Sequence, residues 1–324
     1  MNLNQLRFVR EAVRQNFNLS AAAVSLFTSQ PGVSKAIIEL EEELGIEIFV
    51  RHGKRLKNLT EPGQVVLPII ERLLNEAENL KKVGEEFAAR NTGNLTIATT
   101  HTQARYTLPA VIHEFMRRYP GVRLSLLQGS PPHLAEMVLR GEADIAVATE
   151  SIAEVPGLVS VPCFEWEHAV IVPPGHPLLE LLKGADGRDV PLSLEHLVRF
   201  PIVTYESAFA GRRRIDEAFR KRAIVPDIIL EAIDADVIKT YVEGGLGVGI
   251  VAAIALDAER DARLCAIPAG HLFGRNTTRL AVRRSTYLRS YVYEFVELLA
   301  PGIDRSMLER LLFSNPAEAS SYQL

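Results

Sequence analysis

The sequence predicts a multidomain α+β protein: an N-terminal winged helix-turn-helix, a long linker helix and a C-terminal two-lobed α/β domain. Three observations predict it. Two short, capped amphipathic segments flank a tight gap in NLSAAAVSLFTSQPGVSKAIIELEEELG, residues 18–45. An apolar repeat of alternating four- and three-residue steps runs from Val66 to Phe87. Beyond residue 92, strand-like and helix-like segments alternate, which implies βαβ units and a parallel sheet.

The N-terminal elements follow from spacing and caps. Leu3, Leu6, Val9 and Val13 mark one face of a first helix. Ser20 is a candidate cap for a short second helix, because its hydroxyl can accept an orphan backbone N–H. Phe27-Thr28 makes the turn. Ser29 caps the third helix, and Pro31 sits in its first turn, where a missing N–H costs nothing. Val33, Ile37, Leu40 and Leu44 form its apolar face, and Gly45 ends it as a left-handed cap. In a helix-turn-helix the second helix of the pair enters the major groove with its N-terminal residues at base edges. Ser29, Gln30, Pro31, Ser34 and Lys35 occupy that position; Gln pairs with adenine, and Lys reaches guanine or phosphate. Taken alone, the segment also fits a plain helical bundle.

Ile46 to Leu59 alternates apolar and polar residues around a turn at His52-Gly53, the pattern of a two-stranded wing. Arg51, Lys54, Arg55 and Lys57 crowd it. Residues 1–60 carry eight Lys/Arg against six Asp/Glu, although the whole chain has a net charge of −4. Contact with nucleic acid is therefore local, and Arg51, Lys54 and Arg55 are the candidates for phosphate. Thr60 caps the linker helix. Val66, Ile70, Leu73, Ala77, Leu80, Gly84 and Phe87 are spaced as a heptad seam, which predicts pairing between two chains; packing on the chain's own body is the alternative. Pro68 removes one backbone bond and predicts a kink.

The expected domains are 1–59, the DNA-binding winged helix-turn-helix; 60–91, the linker helix and hinge; and 92–300, the two-lobed domain. Lobe I is expected at about 92–163 and 268–300, lobe II at about 164–267, and a C-terminal tail at 301–324. Expected strands are 95–98, 122–126, 143–148, 202–204, 228–231 and 248–251, with helices at 108–118, 133–140, 211–222 and 236–243. Trp166–Val172 and Leu264–Pro268 carry the chain between lobes, and Arg279–Arg283 completes lobe I. Ligands of open α/β sheets sit at the C-terminal ends of strands. That rule selects Thr100, Thr102 and Gln103 at a helix N-terminus, where free N–H groups attract anions, together with Thr149 and Thr204 at two further strand ends. A cap is the competing role for each threonine.

Composition and motifs exclude several classes. The chain has 324 residues, 47% of them hydrophobic, enough for several buried cores. No window reaches the ~18 uninterrupted apolar residues of a membrane span, and the N-terminus lacks a signal pattern. With two cysteines only, Cys163 and Cys265, a reducing, cytoplasmic setting is expected. His101, His133, His168 and His176 show no metal-ligand spacing, and neither CxxC, GxSxG nor a phosphate loop occurs. The glycine-rich GGLGVGIV runs from helix to strand, the reverse of a dinucleotide loop. No metal, cofactor or catalysis is expected. A solute-binding protein or an α/β enzyme with an appended helical domain is the alternative reading.

LNQLRFVREAV, the stretch from NLSAAAVSLFTSQPGVSK to EIFVR, and LTEPG resemble the LysR-type transcriptional regulators. TTHTQARYTLPAVIHEF, QGSP, GEADIAVATE, AIDADVIKTYVEGGLGVGIVA and RRSTYLRSYVYEF resemble the CysB/Cbl subgroup, over nearly the whole chain. The resemblance implies a two-lobed effector domain of the type-2 periplasmic-binding-protein fold, a homotetramer built as a dimer of dimers, and double-stranded promoter DNA and RNA polymerase as partners. It implies control of genes for sulfur assimilation, cysteine synthesis or alkanesulfonate use. It also implies an effector such as sulfate, thiosulfate, O- or N-acetylserine or adenosine phosphosulfate, held by Thr100, Thr102, Gln103, Thr149 and Thr204. The chain departs from the subgroup at Glu206, and at Ile233, where a threonine is common.

Overall fold

The computed structural model describes residues 1–53, 55–88, 91–183 and 189–314. Two compact units emerge, Met1–Ala88 and the remainder.

In the first unit, α1 (Leu3–Arg14) opens with a reciprocal cap. Asn2 Oδ1 accepts the Asn4 and Gln5 amides at 3.0 Å, and Gln5 Oε1 accepts the Asn2 amide at 2.9 Å. The short α2 (Leu19–Ser25) is capped by Asn18, which accepts from Ser20 and Ala21, and not by Ser20. Asn and Ser are equally good caps; here the residue two places earlier is the one in extended backbone. Phe27 takes a positive φ of 51° in the turn. The third helix, α3 (Gln30–Leu44), begins at the Ser29 cap and ends at Gly45, whose φ of 68° suits a residue without Cβ. Val33, Ile37 and Leu40 are buried, whereas Leu44, expected on that face, is 40% exposed: the last turn runs beyond the small core. The wing pairs β1 (Phe49–His52) with β2 (Arg55–Leu59) in antiparallel fashion, with a register shift at Val50/Arg51.

The 28-residue α4 (Glu61–Ala88) begins where Thr60 Oγ1 accepts the Gly63 amide at 2.9 Å. It runs on through Pro68 as one continuous helix. The apolar repeat is shared between two faces. Ile70 and Leu74 close the core formed by Leu6, Val33, Ile37 and Phe49. Leu73, Leu80 and Phe87 face outward.

The second unit alternates strands and helices: β3 (Thr92–Thr99), α5 (Leu108–Arg118), β4 (Gly121–Gln128), α6 (Pro131–Arg140) and β5 (Ile145–Thr149). A π-helical turn, Gln103–Thr107, precedes α5. Strand β6 (Leu158–Val172) is 15 residues long and serves both lobes. The short α7 (Pro177–Leu181) and α8 (Leu194–Leu197) follow, then β7 (Ile202–Tyr205), α9 (Ala210–Lys221), β8 (Ile228–Ala232), α10 (Ala235–Glu243) and β9 (Val248–Ala252). The chain returns through β10 (Cys265–Pro268), α11 (Gly270–Phe273) and β11 (Arg275–Arg283), and closes with α12 (Ser290–Leu299) and α13 (Arg305–Phe313).

Lobe I has the strand order β4-β3-β5-β11-β6, and lobe II sets β10 and β9 on either side of β6, followed by β7 and β8. Residues Leu158–Glu167 of β6 pair with β11, and His168–Ile171 pair with β9. The handover therefore falls between Glu167 and His168, four residues beyond the expected boundary, because one continuous strand runs through it. Each lobe buries both faces of its sheet under helices. The segment expected as a tail at 301–324 instead contains α13. Leu308 and Leu312 enter the lobe I core, and Ser285 donates its amide to Leu312 O at 3.0 Å; only 315–324 lies outside the described residues. No helix among the described residues is long and apolar enough to cross a membrane.

Candidate functional site

Two places bring together the polar residues singled out in the sequence. The first is the outer end of α3. Ser29 Oγ accepts the Gly32 amide at 3.3 Å, so this hydroxyl holds the helix start. Pro31 and Lys35 are exposed, and Gln30 and Ser34 are half-buried, with none packed into the core. Lys35 lies 3.7 Å from Glu39 on an exposed helix face, a pairing that phosphate can displace at little cost. Arg55 is exposed on the wing; Lys54 lies outside the described residues. Arg51 has a second task. It meets Glu41 Oε2 at 2.6 Å while Glu41 Oε1 accepts the Ile48 and Phe49 amides at 2.8 and 3.1 Å. One carboxylate thus ties α3 to the wing.

The second place is a cavity between the lobes of the second unit. Thr100, Thr102, Gln103, Thr149 and Trp166 line it from lobe I. Tyr205, Phe209, Gly211, Ile233 and Ala252 line it from lobe II. No lining side chain is charged. The first amide bonded along the helix is Ala104, to Thr100 O at 3.0 Å; the amides of 101–103 precede it and have no helical acceptor. Gly211 opens α9 on the other lobe. A Cβ there would stand 3.0 Å from His168 Nε2 and 3.5 Å from Trp166 Cη2, so glycine keeps this wall clear.

The polar inventory is telling. Gln103 Nε2 donates to Thr278 Oγ1 at 3.0 Å, while its Oε1 has no partner. Thr149 Oγ1 and Trp166 Nε1 are buried and unpartnered as well. A buried polar group without a partner costs about 1–3 kcal/mol, and here a hydroxyl and an indole N–H lining one cavity stand without one. Tyr205 OH accepts the Ala252 amide at 3.0 Å and pairs with Thr102; burial pushes its pKa up and keeps the phenol neutral.

Thr204, expected beside Thr149, is fully buried, and its hydroxyl donates to Ile250 O at 3.2 Å. Neighbouring strand residues face opposite ways, so Tyr205 reaches the cavity and Thr204 does not. Trp166 was legible only as part of a strand between lobes; nothing in the sequence marked its indole as lining the cleft. Glu206 accepts from Ser207 and is absent from the lining, whereas Ile233 belongs to it. His168 lies behind the wall, 5.2 Å from the Trp166 ring. Burial lowers its pKa to about 4, so it is neutral at ordinary pH.

Residues 3–64 match the bacterial regulatory helix-turn-helix of the lysR family, and residues 88–303 match the LysR substrate binding domain. The chain belongs to the LysR family of transcriptional regulators. This LysR regulator is 60% identical to the HTH-type transcriptional regulator CysB of Burkholderia cenocepacia over 324 residues, the full length of both. It is 46% identical to the regulator cbl of Escherichia coli, again over the full length of both. Among solved structures, the cofactor-binding domain of the Cbl transcriptional regulator aligns at 42% identity with a TM-score of 0.65, covering 69% of this chain and 95% of that one. The relatives are named as regulators, and the chain is a DNA-binding regulator with an effector domain, not an enzyme.

Proposed function

We propose that this LysR regulator controls genes of sulfur assimilation, cysteine synthesis or alkanesulfonate use in response to a small oxyanion or acetylserine-type effector. The effector classes are sulfate, thiosulfate, O- and N-acetylserine and adenosine phosphosulfate. The observation that carries the reading is the uncharged, donor-rich cavity. Thr149 hydroxyl and Trp166 N–H lack partners beside a helix N-terminus, and no carboxylate lines the space. Neutral donors and a helix dipole bind small anions without a full positive charge. Relatives named CysB and cbl support the pathway.

In this reading Gln30, Ser34 and Lys35 read bases, Ser29 and Pro31 hold the start of that helix at the groove, and Arg51, Lys54 and Arg55 set register on the phosphates. The exposed stripe of α4 pairs chains, and pairs of dimers form the tetramer. The effector favours one lobe arrangement and so alters how bound dimers engage DNA and RNA polymerase; it acts only by its difference in affinity between arrangements.

The test uses Thr149→Val, which keeps shape and removes the bare hydroxyl. Calorimetry of the full chain against each effector is expected to show at least about a tenfold loss of affinity, the equivalent of one hydrogen bond to a charged ligand. Binding to promoter duplex without effector is expected to persist, weakening with salt. Undiminished effector binding by the variant removes the cavity from the reading.

A further inference from the structure

The π-helical turn that supplies Gln103 to the cavity also reaches across the cleft. Tyr106 leaves lobe I and sets its ring against the lobe II core formed by Val203, Tyr205 and Ile238. Its hydroxyl donates to Asp236 Oδ1 at 2.6 Å and accepts from Lys239 Nζ at 2.9 Å. Arg105 Nε stands 2.8 Å from Asp236 Oδ2. On lobe II, Lys239 is only 6% exposed and is fixed further by Ala255 O at 3.0 Å and Asp261 Oδ1 at 3.0 Å. Two cations and two carboxylates thus balance around one phenol. His101, Asp234 and Asp236 also bring ligand-type atoms within 4.8 Å of one another; Arg105 and Lys239 pair with Asp236 by charge at 2.8 and 3.4 Å, while Asp236 Oδ2 and His101 Nδ1 accept no aligned hydrogen bond.

We propose that Arg105 and Tyr106 on one lobe and Asp236 and Lys239 on the other form a latch whose closing positions Thr102 and Gln103 for the effector. The inference rests on the anion reading of the cavity. Its physical basis is continuity: latch and cavity wall are successive residues of one π-turn, an arrangement seldom kept without function. Separating the lobes strips Asp236 of its phenol donor and its Arg105 partner, and strips Lys239 of one acceptor, so the charged network favours the closed arrangement. Ligand held between Thr102 and Gln103 on lobe I and the lobe II wall at Tyr205 and Gly211 favours it too. Two events that favour one state must strengthen each other. Tyr106 touches no ligand in this account; it is a positioning residue.

The chain's single tryptophan, Trp166, lines the cavity and reports on it alone. Sulfate is titrated into the full chain and its Tyr106→Phe, Asp236→Asn and doubly substituted forms while Trp166 emission is followed. Tyr106→Phe keeps the ring and removes only the hydroxyl. If the latch sets the closed fraction, each single variant raises the apparent Kd for sulfate about tenfold, and the double variant is no worse than the singles. Hydrogen exchange rises at 103–107 in the variants and not elsewhere in the domain, and saturating sulfate restores it; a general loss of stability would raise exchange throughout. Unchanged sulfate affinity in both single variants overturns the latch. If the wild-type chain shows no saturable response to sulfate, sulfate is removed from the effector classes, and absence of a response to the other effectors as well sinks the anion reading. Exchange at 103–107 then decides the latch alone: faster in Tyr106→Phe supports it, and unchanged overturns it.

Discussion

His168 shows how one buried side chain sets a pH dependence for the whole effector domain. It is almost completely buried between the rings of Trp166 and Phe273, with Nδ1 3.3 Å from Asn276 Nδ2. Burial lowers its pKa from 6.5 to about 4. Between those values the unfolded chain binds a proton that the folded chain refuses, so stability rises with pH. The contribution is complete above 6.5 and is lost as pH falls toward 4, a span of about 3 kcal/mol. His168→Gln, which cannot titrate, is expected to flatten this dependence. Denaturant unfolding of both proteins at pH 7 and pH 4.5 measures it, and parallel losses in the two would refute the assignment. The same scale shows what the sequence concealed. Thr204 and Tyr205 end a strand buried on both faces, so no polar–apolar alternation tells which one turns to the cleft. Thr100, Thr102, Gln103 and Thr149 were legible because strand ends and helix starts locate them without a side-chain direction. Trp166 was not, because an aromatic residue in a strand reads equally as core.

Elements were legible where caps and periods agreed. The α5 helix matches its expected span of 108–118 because Tyr119-Pro120 stops a clear apolar face. The α13 helix was hidden because its inward residues, Met307, Leu308, Leu311 and Leu312, span barely a turn and a half, too short to mark a period in a segment opening with Pro301-Gly302. The tie between α3 and the wing was hidden too, since Glu41 looks like one of three solvated acids in a row. Its Oε1 takes two buried amides that β1 leaves free as it enters the sheet. Glu41→Ala is expected to destabilise the N-terminal domain by about 3 kcal/mol, because it strands both donors. Glu41→Gln keeps the acceptor, loses only the charge opposite Arg51, and is expected to cost about 1 kcal/mol. Thermal unfolding of the two variants separates the cases. Equal losses would mean that the ion pair, and not the two amides, holds the wing.

At the scale of the whole molecule the argument turns on α4, which is too long for the core it serves. Ile70 and Leu74 are spent on the N-terminal domain. Leu73, Leu80 and Phe87 follow at intervals of seven residues, and the last two are 75% exposed. An apolar row of that period on a helix outside its own core fits the seam of a helix pair, the role proposed for it above. Lys81 and Glu85 beside it lie 3.8 Å apart and leave the row itself uncharged. Pairing matters for function because a reader of two half-sites gains its second contact at high effective concentration. Leu80→Glu sets a carboxylate in the seam without touching the core. Sedimentation is expected to shift toward the monomer while helix content holds. Affinity for a two-half-site duplex falls at least about a hundredfold, and affinity for a single half-site stays near its original value. Ile70→Glu, one face over, is expected instead to unfold the N-terminal domain and abolish binding to both duplexes. An unchanged sedimentation profile for Leu80→Glu would place the pairing surface elsewhere on the chain and leave the exposed row on α4 without a partner.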